Sequence, residues 1–295
     1  MRQCLICGCK GTAKIRTDKT FMKKNVQKQQ KSSLKACKKS VFVHLVYVFC
    51  YLCSMLEKTK GIVLHSIRYG DDNMIVSVYC QHRGTLTFMV RVPKSKHAKV
   101  KAQLLRPLSI LDLDIDYRDR VQMQRIHDMH VALHYTSLPY EPVKEALAMF
   151  LGEVLYYALK REGQNLDLYD FLENSLQWLD LTEKDYANFH ICLLIQLTRF
   201  LGFFPNVDEI PAHSLFDLVE GSFVRVIPFH GQYLTEEESL FMGKLLKMNF
   251  LTMHRVHLNR AQRGRVLRIL NMYYRIHVPD FPELKSLDVL TELFD

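Results

Sequence analysis

Apolar and polar positions alternate with period two through residues 61–92, with two interruptions. Met74, Val76, Val78 and Cys80 alternate with Asn73, Ile75, Ser77 and Tyr79, and Leu86, Phe88, Val90 and Val92 alternate with Thr85, Thr87, Met89 and Arg91. Period two puts one set on a buried face and the other toward solvent, the pattern of a half-buried strand. Gly70-Asp71-Asp72-Asn73 and His82-Arg83-Gly84 have turn chemistry at the interruptions, so the stretch predicts three strands in a meander. A basic, polar loop follows at residues 93–101. Alternation then resumes over residues 108–117, where Leu111, Leu113 and Ile115 oppose Asp112, Asp114 and Asp116, and residues 121–131 complete the set.

Near residue 135 the period lengthens to that of a helix. Over residues 141–162, starting at Pro142, one apolar stripe is formed by Val143, Leu147, Phe150, Leu151, Val154, Leu155 and Leu159. Residues 166–179 and 186–201 repeat the pattern, and Gly202 closes the latter. The two regimes predict an α+β chain: an N-terminal five-stranded barrel of the oligonucleotide-binding (OB) type over residues 55–134, then an all-helical C-terminal domain over residues 135–295.

Charge divides the chain the same way. Residues 1–54 hold twelve lysines and arginines against the single acid Asp18; residues 55–106 hold ten against three, and residues 107–295 hold 18 against 27. The net +9 thus belongs to the leader. Within the remainder a basic barrel precedes an acidic helical part, which suits a polyanion partner for the barrel alone.

The leader also holds six of the eight cysteines, so no disulfide framework is implied. Cys4-x-x-Cys7 and Cys50-x-x-Cys53 have zinc half-site spacing, but the 42 residues between them are far outside ribbon spacing. Residues 41–53 form an apolar run behind a basic stretch, which imitates a signal peptide but is too short to span a bilayer. The break in composition at Met55 favours a third reading. The leader is then a basic, Cys-containing segment, disordered or upstream of the true start, and the working protein is a cytoplasmic chain with reduced thiols.

No glycine-rich phosphate loop, nucleophile elbow or metalloprotease motif occurs, so neither enzymatic activity nor a cofactor is expected. Asp112-x-Asp114-x-Asp116 imitates the start of a calcium loop, but Tyr117 and Met123 stand where such a loop needs glycine and glutamate. His127, His130 and His134 do not converge on one side of a strand, so no metal is expected. What remains is basic charge: Arg68, Arg83, Arg91, Lys94, Lys96, Lys99, Lys101 and Arg106 on one small barrel point to phosphate contact. Tyr69 and Tyr79 read equally as stacking platforms for unpaired bases or as core tyrosines closing the barrel. In the acidic half, Arg255, Arg260, Arg263, Arg265 and Arg268 form a second basic cluster, either offsetting Glu236, Glu237 and Glu238 or seating an acidic partner. The rival to a DNA-binding chain is a non-catalytic protein–protein adaptor with an OB-type barrel and no DNA role.

Thr59-Lys60-Gly61-Ile62-Val63-Leu64, Arg68-Tyr69-Gly70-Asp71, Ile75-Val76, Arg83-Gly84 and Lys94-Ser95-Lys96, in this order and spacing, resemble the barrel of the bacterial recombination mediator RecO family. Leu197 to Asn206 resembles the family's motif ending in Leu-Gly-x-x-Pro, and the segments from Arg265, Tyr273 and Leu284 resemble its closing region. The resemblance covers residues 55–295 and none of the leader. Many relatives place a four-cysteine zinc knob after that motif; residues 205–235 hold no cysteine, so the resemblance is to the zinc-free branch. It implies a DNA repair and recombination mediator that binds single- and double-stranded DNA, anneals strands and, with RecR, helps load RecA recombinase. It also implies a seat for the C-terminal tail of single-stranded-DNA-binding protein on the helical domain, and no membrane partner. The arginine cluster at 255–268 is the candidate seat.

Overall fold

Five strands close into a barrel in the order β1-β2-β3-β5-β4: β1 (Leu56–Tyr69), β2 (Asn73–Cys80), β3 (Gly84–Arg91), β4 (Ile110–Asp116) and β5 (Met123–Val131). The computed structural model describes residues 56–92, 102–207, 210–211 and 213–293. The expectations for the leader and for the basic loop at 93–101 lie outside the described residues. β3 and β5 run parallel through Thr87 and Met123, and the remaining neighbours are antiparallel, which is the closure of an OB fold. The positions expected to face inward do so: Val76, Val78, Cys80, Phe88, Leu111, Leu113 and Ile115 fill the barrel.

β1 starts earlier than its apolar pattern, which begins near Thr59. Its first residues pair with β4, Lys58 opposite Asp114 and Lys60 opposite Asp112. Cross-strand opposite charges support such a ladder. They also account for the Asp112, Asp114, Asp116 row as a solvated strand face.

The helices are α1 (Pro142–Ala158), α2 (Leu166–Leu181), α3 (Phe189–Phe200), α4 (Glu236–Leu246), α5 (Arg260–His277) and α6 (Ser286–Leu293). Their starts follow from local chemistry. Asn165 caps α2 by accepting from the Leu168 N–H at 3.0 Å, and α4 and α5 open with capping boxes, Thr235 with Glu238 and Asn259 with Gln262. A cap of this kind contributes about 1 kcal/mol. The helical part also holds a two-stranded hairpin, β6 (Leu215–Asp217) and β7 (Ser222–Val224). Strands of three residues are too short to show a period, and Phe216 packing on Phe223 at 5.0 Å holds the pair together.

Barrel and helices share one apolar cluster, to which Ile62, Leu64, Tyr79, Leu108 and Ile110 contribute from the barrel side. The connecting segment is fastened by Asp180 at the end of α2, which accepts from the N–H groups of Thr136, Ser137 and Leu138 at 2.9, 2.8 and 2.8 Å. Burial works to raise this carboxyl, but those three N–H groups hold it below the usual carboxylate range. Beside it the buried Lys144 ammonium donates to Ser137 Oγ at 2.6 Å and to the Thr182 carbonyl at 2.7 Å.

Candidate nucleic-acid interface

Register decides which of the expected residues meet. Asn73 in β2 stands opposite Tyr69 on one neighbour and opposite Arg91 on the other. Paired residues share a face, and strands lie about 4.8 Å apart, so Tyr69 and Arg91 are about 10 Å from each other. Tyr69 is 57% exposed, and Arg68 and Arg91 are exposed as well. The next outward row is Ile67, Ile75 and Met89, so this face offers a phenol and the Arg91 guanidinium over a partly apolar row, while Arg68 belongs to the alternate row with Met74 and Val90 and is exposed at the strand end. Val92 N–H donates to the Asp72 carbonyl at 2.6 Å and seals the turn. Lys94, Lys96, Lys99 and Lys101 lie outside the described residues.

Arg83 is elsewhere. It sits in the β2–β3 turn at the opposite end of β2, its Nε and Nη2 donating to Glu57 at 2.9 and 2.8 Å. Its guanidinium lies 4.1 Å over the Tyr117 ring. The hydrogen bonds to Glu57 raise its pKa further, and its charge is already balanced inside the chain. Arg106 is exposed between a 3-10 turn (Ala102–Leu105) and β4, apart from both groups. The β4–β5 turn adds cations that the sequence reading passed over, Arg118 and Arg120, with Arg125 following in β5. The buried Gln124 side chain pins this turn through the Arg118 N–H and the Arg118 and Val121 carbonyls. The signal was Arg118-Asp119-Arg120 between two alternating runs; Arg118 itself pairs with Asp116 at 2.8 Å.

Tyr79 is not a stacking platform. It is fully buried, with its hydroxyl toward the Gly163 and Asn165 carbonyls at 3.5 and 3.4 Å and its ring 6.3 Å from that of Tyr169. Burial pushes its hydroxyl up to about 12. The outer face of β2 is covered because the chain after α1 crosses it: Thr85 donates to the Leu159 and Glu162 carbonyls at 2.6 and 3.1 Å. Gly84, at φ +72°, is needed there, since a Cβ would come within 2.4 Å of the Glu162 carbonyl oxygen.

The arginine cluster of the helical part does not form one patch. Arg263 and Arg265 are two residues apart on α5 and point to different flanks. Arg263 donates to the Leu258 carbonyl at 3.2 Å, while Arg265 pairs with Glu238 at 2.9 Å. Burial works to raise the Glu238 carboxyl, but Thr235 and Arg265 hold it below its ordinary value. Arg255, Arg260 and Arg268 are exposed. Between α4 and α5 runs a cleft of about 310 Å³, with Leu240, Phe241, Val266 and Ile269 as apolar wall, Lys244 and Arg265 as cations and Glu237 and Glu238 as acids.

His127 and His130 are exposed on β5, and His130 lies 3.3 Å from Asp128. Among the described residues no three or more His, Cys, Asp or Glu side chains are arranged to hold a metal, and no helix is long and apolar enough to cross a membrane. Cys80 and Cys192 are buried, and burial pushes both thiols up, away from the thiolate that nucleophilic chemistry needs.

Comparison with known proteins adds family to geometry. Residues 55–135 match the model for the Recombination protein O N terminal region, and residues 140–288 match the model for its C terminal region. A DNA repair protein RecO of Bacteroides fragilis is 45% identical over 242 residues, spanning 82% of this chain and all of that protein. The protein of the same name from Phocaeicola vulgatus is 44% identical over 240 residues, covering 81% of this chain and 100% of its own length. That of Porphyromonas gingivalis is 30% identical over 249 residues, 82% of this chain and again 100% of the relative.

Proposed function

The chain belongs to the Recombination protein O family, and from this premise we propose that it is a DNA repair and recombination mediator, cytoplasmic and without catalysis. In this reading its OB barrel, residues 55–134, binds single- and double-stranded DNA and anneals complementary strands. With RecR it helps load RecA recombinase. The row Tyr69, Asn73, Arg91 is the observation that supports the reading most, with Arg68 exposed in the alternate row at the same end of the barrel. Cations that neutralise phosphates on two strands remove the repulsion between them and leave the bases free to pair. Binding of the chain to a labelled single strand and to a duplex over a range of salt separates this reading from that of a protein–protein adaptor, which binds neither.

The helical part, residues 135–295, supplies the seat for the C-terminal tail of single-stranded-DNA-binding protein. In this reading the tail enters the α4–α5 cleft, where Lys244 and Arg265 line the same pocket as Phe241, Val266 and Ile269. An acidic, apolar-ended peptide would compete with Glu238 for Arg265. Fluorescence anisotropy of such a peptide should show binding that Lys244→Glu with Arg265→Glu abolishes; unchanged binding moves the seat elsewhere.

A further inference from the structure

A cleft of about 530 Å³ lies between the barrel and α1. This is within the range of pockets that hold small organic groups, and neither the rim at Tyr69 nor the α4–α5 cleft includes any part of it. It is built rather than incidental. Leu108, at the turn into β4, has φ +65°, a conformation rare for a bulky residue and found where surrounding structure enforces it. Its N–H donates to the Val63 carbonyl at 2.7 Å, and its carbonyl accepts from the Tyr135 hydroxyl at 2.7 Å. Pro107 lies close against Gly152 of α1, where a Cβ would come within 2.8 Å of the proline's own. These contacts hold the turn so that Arg106 and Ser109 border the cleft.

The lining includes the carboxylate of Glu145 and the imidazole of His134 besides the groups that matter for a ligand. Tyr140 is 74% exposed and Met149 60% exposed at the lip, an aromatic and a thioether side chain left open to solvent. Arg106 supplies a cation at the mouth, and Gln103 an amide with both donor and acceptor. Ile110 and Leu138 form an apolar floor. A nucleobase needs a face to stack on and hydrogen-bonding partners for its edge, and the phosphate joined to it needs a cation. We propose that this cleft receives one unpaired base of a DNA strand, stacked on Tyr140, with the adjoining phosphate at Arg106. The proposal rests on the DNA-binding reading above and sharpens it. A base paired in a duplex cannot enter, so the cleft makes the chain favour single strands.

The test uses the full chain with a fluorescent oligothymidine and a blunt duplex. Tyr140→Ala should lower affinity for the single strand by roughly 5- to 150-fold, the range for loss of one base–aromatic stack, and leave duplex affinity unchanged. Tyr140→Phe should bind as the parent does, because the ring is retained. Arg106→Gln should lower the salt slope on the single strand by about 0.7. Both side chains are exposed, so folding is not at issue. An oligothymidine carrying 5-iodouracil should photocrosslink within the peptide that contains Tyr140. If the parent binds the strand while Tyr140→Ala and Arg106→Gln leave affinity and slope unaltered, the cleft is not a base site and DNA binding stands without it. If the parent binds neither strand nor duplex, the functional reading falls and takes this inference with it.

Discussion

Tyr69 and Arg91 flank Asn73 from opposite neighbours of β2, so an exposed ring and an exposed guanidinium are about 10 Å apart at one end of the barrel. Replacing Tyr69 by alanine should cost about 1–3 kcal/mol in binding to a single strand and much less on a duplex, because stacking needs an unpaired base. Paired isotherms on the two DNA forms measure the difference. Equal losses on both would make Tyr69 a general contact instead.

Tyr79 should behave in the opposite way. Its ring is buried between barrel and helices, so Tyr79→Ala should destabilise the fold by about 3–5 kcal/mol. Tyr79→Phe keeps the ring and gives up only long hydrogen bonds to Gly163 and Asn165, at a cost of about 1 kcal/mol or less. DNA affinity per folded molecule should be unchanged in both. Denaturant unfolding alongside DNA titration checks the pair, and a Tyr79→Phe variant that folds normally but loses single-strand binding would contradict this placement.

His190 sets a pH dependence. It is fully buried, and burial, with Arg263 nearby, holds its imidazole down to about 3, below the ordinary value of about 6.5. The unfolded chain therefore takes up the proton first. The contribution to stability is intact above about pH 6.5 and is lost as pH falls from there toward 3, by at most about 1.4 kcal/mol per unit. Unfolding free energy measured at pH 6.5 and pH 4.5 should fall more steeply for the parent than for His190→Leu. Parallel slopes would place the titrating group elsewhere.

How much was legible in the sequence depended on how far apart the partners were along the chain. The inward rows of β2, β3 and β4 and the stripe of α1 are local periodicities, and they stand where the pattern puts them. Tyr79 could not be decided, because the groups that bury it come from residues 159–169. Arg83 read as a DNA contact because its partner Glu57 is 26 residues away, with no pattern linking the two. Arg263 and Arg265 read as one cluster because adjacency in sequence hides the turn of a helix between them. The cleft at Tyr140 was invisible, since its walls come from the 3-10 turn, β4, β5 and α1.

In the proposed reading DNA binds at the β1–β2 end of the barrel and is also contacted by Lys94, Lys96, Lys99 and Lys101, which follow Val92 in the sequence. The salt dependence of single-strand binding tests it most directly, comparing the parent with Arg68→Ala/Arg91→Ala and with a variant in which Lys94, Lys96, Lys99 and Lys101 are all alanine. Each lost phosphate contact should reduce the slope of log K against log salt by about 0.7. The double variant should thus flatten it by about 1.4 and the quadruple by up to about 2.8, on any sequence, with strand annealing failing in parallel. Folded variants whose slopes equal the parent's would show that DNA binds elsewhere on the chain.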